Sequence, residues 1–87
     1  MTINSKNKAI LSDIFFDPVR SNVKWSDIET LVVALGGEVT SGNGSRVRFY
    51  LNSIIATFHR PHPKKETDKG AVKAVRRFLL EAGVKKP

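Results

Sequence analysis

Apolar positions fall into two rhythms along this chain. Ile10, Leu11, Ile14 and Phe15 recur at i, i+1, i+4 and i+5. That spacing lines one helical face and predicts a helix over residues 5–16, ended by Asp17-Pro18 because proline disfavours helical backbone in the residue before it. Ile28, Leu31, Val32 and Leu35 repeat at i, i+3, i+4 and i+7, which predicts a second helix. Ser26 stands three residues ahead of Glu29, the spacing of a capping box, so this helix is expected to open at Ser26. Gly36-Gly37 closes it, since glycine reaches the left-handed backbone that a helix end favours.

From Glu38 the period changes to two. Glu38 to Ser41 is short and β-prone, Ser41 to Ser45 is rich in turn residues, and Arg46 to Leu51 alternates polar and apolar strictly. Ile54 to His59 is a third strand of β-branched and aromatic residues, reached through a two-residue hairpin loop at Asn52-Ser53. The loop fixes the register. Leu51 faces Ile54, Phe49 faces Ala56 and Val47 faces Phe58 on a core side; Tyr50 faces Ile55, Arg48 faces Thr57 and Arg46 faces His59 on the other. Arg60 to Gly70 holds Pro61 and Pro63 and reads as an exposed basic loop. Ala71, Val72, Val75, Phe78, Leu79 and Ala82 then form the apolar stripe of a last helix ended by Gly83, with Lys69, Lys73, Arg76 and Arg77 outside. The expected fold is α+β, a three-stranded antiparallel sheet with helices on one face in the order α-α-β-β-β-α. Residues 1–22 are expected to form a helical extension and residues 23–87 the main globular unit.

Composition narrows the chemistry. A chain of 87 residues has room for one core. Without cysteine it builds no disulfide, thiol nucleophile or thiolate metal site. Met1 to Lys8 carry no apolar leader core, and the longest aliphatic run, Leu31 to Leu35, is far short of the roughly 20 residues of a membrane span. The expectation is a cytoplasmic protein with no membrane partner.

Charge is unevenly placed. Residues 1–45 carry four basic and five acidic side chains, residues 46–87 eleven basic and three acidic, so the whole excess of +7 lies in the second half. A polyanion, nucleic acid first, is the expected partner, and an acidic protein surface is the other class such a patch serves. The turn at Ser41 to Ser45 lacks the strand–GxxxxGK–helix context of a phosphate loop. His59 and His62 have no third ligand close in sequence, so no metal or other cofactor is expected. Trp25 reads as structural. Tyr50 is open to two readings, a plain surface aromatic or a platform for stacking a base.

The Arg46–His59 pairing brings a guanidinium beside an imidazole. Metal-free RNA cleavage requires a base for the 2′-hydroxyl proton, cations for the charged phosphorane and an acid for the leaving oxygen. A histidine supplies the base, and an arginine fork grips phosphate bidentately. His62, Lys64 or Lys65 would complete the site. Only RNA has the attacking hydroxyl. Arg48, Tyr50, Arg60, Lys64, Lys65, Lys69, Lys73, Arg76 and Arg77 are the expected RNA contacts. The plain alternative is that His59 ends a strand and His62 fills a loop.

Three short motifs point further: Gly44-Ser45-Arg46, Arg60-Pro61-His62-Pro63-Lys64-Lys65-Glu66, and Gly70-Ala71-Val72 with a terminal Ala82-Gly83-Val84. In this order residues 23–84 resemble the HicA toxins of bacterial toxin–antitoxin systems. The resemblance implies a double-stranded-RNA-binding-like fold, endoribonuclease activity on mRNA that inhibits translation, and a HicB-like antitoxin that covers the active face. The family's Gly-Ser-His motif supplies a catalytic histidine where this chain has Arg46. Either His59 or His62, the latter matching the family's second histidine position, replaces it, or the protein is a nucleic-acid-binding module without chemistry.

Overall fold

A computed structural model describes residues 3–62 and 64–87; Met1, Thr2 and Pro63, the last counted above among the loop prolines, lie outside them. Helices α1 (Ser5–Phe15) and α2 (Trp25–Ala34) precede strands β1 (Glu38–Ser41), β2 (Arg46–Leu51) and β3 (Ile54–His59), and α3 (Lys69–Glu81) follows. The strands form one antiparallel sheet in the order β1-β2-β3. The expected α+β class and element order are both present.

Local chemistry explains the helix ends. The Asn4 side chain accepts from the Asn7 amide at 2.9 Å, and the Asp68 carboxylate accepts from the Ala71 amide at 2.8 Å, each satisfying a free donor at a helix start. The start of α2 differs from expectation. It begins at Trp25, ahead of Ser26, and its cap residue Lys24 makes no side-chain capping bond. The carboxylate of Glu29, which a capping box would turn back to the helix start, instead accepts from the Trp25 indole N–H at 2.5 Å and from Arg60. A second strip of chain takes over the work of a cap. The Trp25 amide donates to the Lys65 carbonyl at 3.1 Å and the Thr67 amide to the Val23 carbonyl at 2.7 Å, with Lys24 and Glu66 paired between them.

The exit from α2 depends on glycine twice. Gly36 has φ +94°, the left-handed conformation. A Cβ on Gly37 would lie 2.7 Å from the Tyr50 carbonyl oxygen, so only glycine lets the chain turn this closely over β2.

Phe49 sits at the centre of the core, fully buried beneath the helices. Its ring lies 5.6 Å from Trp25 in a nearly parallel stack, 5.0 Å from Phe58 and 5.8 Å from Phe78. Aromatic pairs of this kind contribute about 0.5–1.5 kcal/mol each beyond their buried area. Ile28, Leu31 and Val32 of α2 and Val72, Val75 and Leu79 of α3 close the same core. The first helix shares it: Ile10, Leu11 and Ile14 are buried against these residues. Arg76 of α3 holds the end of α1, its Nε donating to the Ile14 carbonyl at 2.5 Å and its Nη2 to the Phe16 carbonyl. At the opposite end of the hairpin, Asn52 and Ser53 both take positive φ, and Asn52 Nδ2 donates to the Ala82 carbonyl at 2.7 Å. Among the described residues no helix is long and apolar enough to cross a membrane.

Candidate nucleic-acid interface

Period-two alternation decides which side chains reach solvent. In β2, Val47, Phe49 and Leu51 enter the core while Arg46, Arg48 and Tyr50 emerge on the side that no helix covers. In β3, Ile55, Thr57 and His59 emerge beside them. The register is the one expected: Arg46 pairs with His59, Arg48 with Thr57 and Tyr50 with Ile55. β1 extends the face, with Thr40 beside Arg48 and Glu38 beside Tyr50.

Two zones differ in chemistry along this face. At one end Tyr50 and Ile55, 40% and 59% exposed, form an apolar platform of the kind that receives the face of an unpaired base. At the other, Arg46 and Arg48 border a hollow of about 210 Å³ with Thr40, Ser41, Gly42 and Thr57. Cations and hydroxyls line that hollow, and no carboxylate does.

His59 stands at the cationic end. Its Nδ1 lies 3.3 Å from the Ser45 hydroxyl oxygen. The Arg60 amide donates to the Ser45 carbonyl at 2.8 Å, which carries the ladder one residue past the strands and keeps Ser45 beside the imidazole. A ring anchored through Nδ1 leaves Nε2 as its free polar edge. An exposed imidazole with one nitrogen tethered and a guanidinium across the ladder is an arrangement able to take a proton next to a bound phosphate.

The remaining expected residues are dispersed. His62 is exposed in the β3–α3 loop, and among the described residues no hydrogen bond joins it to the Arg46–His59 pair. Lys64 and Lys65 are exposed in the same loop and line a separate cleft. Lys69, Lys73 and Arg77 are exposed on α3, with Arg77 bordering the groove between that helix and β3. Two of the cations are engaged within the fold. Arg76 holds α1, as described. Arg60, next to His59 but on the helix side of the sheet, donates from Nε and Nη2 to the two Glu29 oxygens at 2.7 and 3.1 Å, and from Nη1 to the Ser41 hydroxyl at 2.9 Å. The hydrogen bond to Glu29 raises the Arg60 pKa above its ordinary value, although desolvation pulls the other way.

Local spacing assigned Glu29 only to the cap of α2 and gave no sign of Lys24 or of the tether role of Ser45. Glu29 left one local signal, its position four residues after Trp25 on the same helical face. Its partnership with Arg60 spans 31 residues and left none.

Among protein families, the one described as HicA toxin of bacterial toxin-antitoxin matches residues 25–84. No curated protein and no solved structure matches the chain.

Proposed function

The chain belongs to the HicA toxin family, and from that premise we propose that it is the toxin of a toxin–antitoxin pair, acting as a metal-independent endoribonuclease that cleaves mRNA and so inhibits translation. The observation that carries this reading is the pairing of Arg46 with His59 on the exposed face of the sheet, inside the half of the chain that holds the excess positive charge.

In this mechanism His59 Nε2 takes the 2′-hydroxyl proton while the Nδ1 hydrogen is donated to Ser45. The resulting alkoxide attacks the adjacent phosphorus. Arg46 and Arg48 hold the non-bridging oxygens as negative charge builds in the phosphorane. The P–O5′ bond then breaks, leaving a 2′,3′-cyclic phosphate, and the departing 5′-oxygen receives a proton from His62. Tyr50 and Ile55 seat a neighbouring base. Lys69, Lys73 and Arg77 add long-range attraction for the strand. The site works in the cytoplasm without a cofactor, and a HicB-like antitoxin silences it by covering the open face.

A second reading has one observation in its favour. No hydrogen bond draws His62, a candidate acid, to the Arg46–His59 pair among the described residues, as expected if the face binds nucleic acid without cutting it. Incubating the purified protein with an oligoribonucleotide and its 2′-deoxy counterpart under a chelator separates the two. Cleavage of the RNA alone supports the nuclease, and binding with no cleavage supports the binding module.

A further inference from the structure

The rim of the sheet at the end of β3 separates two cationic surfaces. His59 projects to the open face and Arg60, the next residue, to the helix side, so consecutive Cα atoms about 3.8 Å apart connect the candidate catalytic face to whatever lies behind it. Behind it is a cleft of about 400 Å³ lined by Lys24, Trp25, Ser26, Arg60, Lys64 and Lys65, with Pro61 completing the lining. No carboxylate is among the lining residues. Lys24, Lys64 and Lys65 take part in no ion pair among the described residues.

The walls of this cleft are fixed. Trp25 is 5% exposed and stacked on Phe49, and its indole shares the Glu29 carboxylate with Arg60. The backbone between Lys24 and Glu66 is paired, which holds the strip carrying Lys64 and Lys65 against the entry to α2. The first turn of α2 opens onto the cleft at Ser26 with no side-chain cap, and its dipole adds positive potential, offset in part by Asp27 in the same turn. Three lysines gathered at one cleft with no carboxylate in its lining repel one another, and an anion seated between them offsets that repulsion.

We propose that this cleft is a second phosphate subsite for single-stranded RNA, so that a strand gripped by Arg46 and Arg48 bends over the rim at His59–Arg60 and places a flanking phosphate among Lys24, Lys64 and Lys65. The inference rests on the RNA-cleaving reading above and extends it: affinity depends on strand length, and the strand bends at the residue next to the base. A polyanion fits better than a single carboxylate because three lysine ammonium groups around an open cleft match the repeated charges of a phosphate backbone.

The test uses the whole chain and non-cleavable 2′-O-methyl strands, a trinucleotide and a single strand of about a dozen nucleotides. Affinity is measured by fluorescence anisotropy over a range of salt for the wild type, Lys24→Ala, Lys64→Ala, Lys65→Ala and Arg48→Ala, with urea melts showing that each variant is folded. The lysine variants are expected to weaken the longer strand about three- to fivefold each and to lower its salt slope by about 0.7, with the trinucleotide unchanged. Arg48→Ala weakens both strands. If the lysine variants leave the longer strand untouched while Arg48→Ala weakens it, the subsite is refuted and the RNA reading stands. Equal weakening of both strands by the lysine variants also refutes a separate subsite. Failure of the wild type to bind either strand overturns both.

Discussion

Arg60 and Glu29, 31 residues apart in sequence, meet in a two-pronged ion pair with N–O distances of 2.7 and 3.1 Å, and the same carboxylate binds the Trp25 indole. One acid thereby joins the end of β3 to the first turns of α2. Removing it leaves an indole N–H and a guanidinium without their shared acceptor.

Glu29→Ala is therefore expected to destabilise the fold by about 1–2 kcal/mol, the modest figure reflecting the solvent around a partly exposed pair. Arg60→Lys keeps the charge but loses the fork, and its stability is expected to fall between that of the wild type and that of Glu29→Ala. Urea denaturation with an unchanged slope is the measurement; an Ala variant as stable as the wild type would show the pair to be incidental.

Arg76 belongs to the fold in this account. Replacing it with Ala frees the Ile14 and Phe16 carbonyls, and the loss of charge-assisted bonds is expected to cost about 1–3 kcal/mol. Hydrogen exchange should speed up first in α1. RNA affinity, compared under conditions where the variant is folded, should fall no more than a general loss of one distant charge explains.

At the hairpin, two causes separate cleanly. Asn52→Gly keeps a residue at ease with φ +50° but loses the bond to Ala82, expected to cost about 0.5–1.5 kcal/mol. Asn52→Ala loses the bond and adds left-handed strain of about 1 kcal/mol more. Equal stability of the two variants would contradict that ordering.

Phe49→Ala should be the most damaging single change in the sheet. It leaves a cavity between Trp25, Phe58 and Phe78, and a loss of about 3–5 kcal/mol is a large fraction of the roughly 5–15 kcal/mol by which folded domains are stable. Phe49→Leu gives a milder variant whose thermal midpoint tests the same packing if the Ala form does not fold.

How much of this was legible beforehand depended on the reach of each interaction. The Arg46–His59 pairing follows from strict alternation in Arg46 to Leu51 and a two-residue loop at Asn52-Ser53, both local, and the register matches pair for pair. The end of α1 before Pro18 was readable for the same reason. The start of α2 was not. Ser26 and Glu29 have the spacing of a capping box, but the core requires Trp25 and a distant arginine claims the carboxylate, and no window of a few residues contains that competition. Arg60 and Arg76 looked like free surface cations because periodicity reports which face a side chain leaves from and not which carbonyl or carboxylate it reaches. The side-chain tether of His59 to Ser45 also depends on that reach.

The central claim is that His59 removes the 2′-hydroxyl proton. Its most direct test is the cleavage rate of one oligoribonucleotide under a chelator by the wild type and by His59→Ala, with product ends identified by mass spectrometry. Wild-type products are expected to carry 2′,3′-cyclic phosphate ends, and the variant is expected to cut about 10²- to 10⁴-fold more slowly while RNA affinity stays within a few fold. A variant that cuts as fast as the wild type, or wild-type products with free 3′-hydroxyl ends, would contradict that claim.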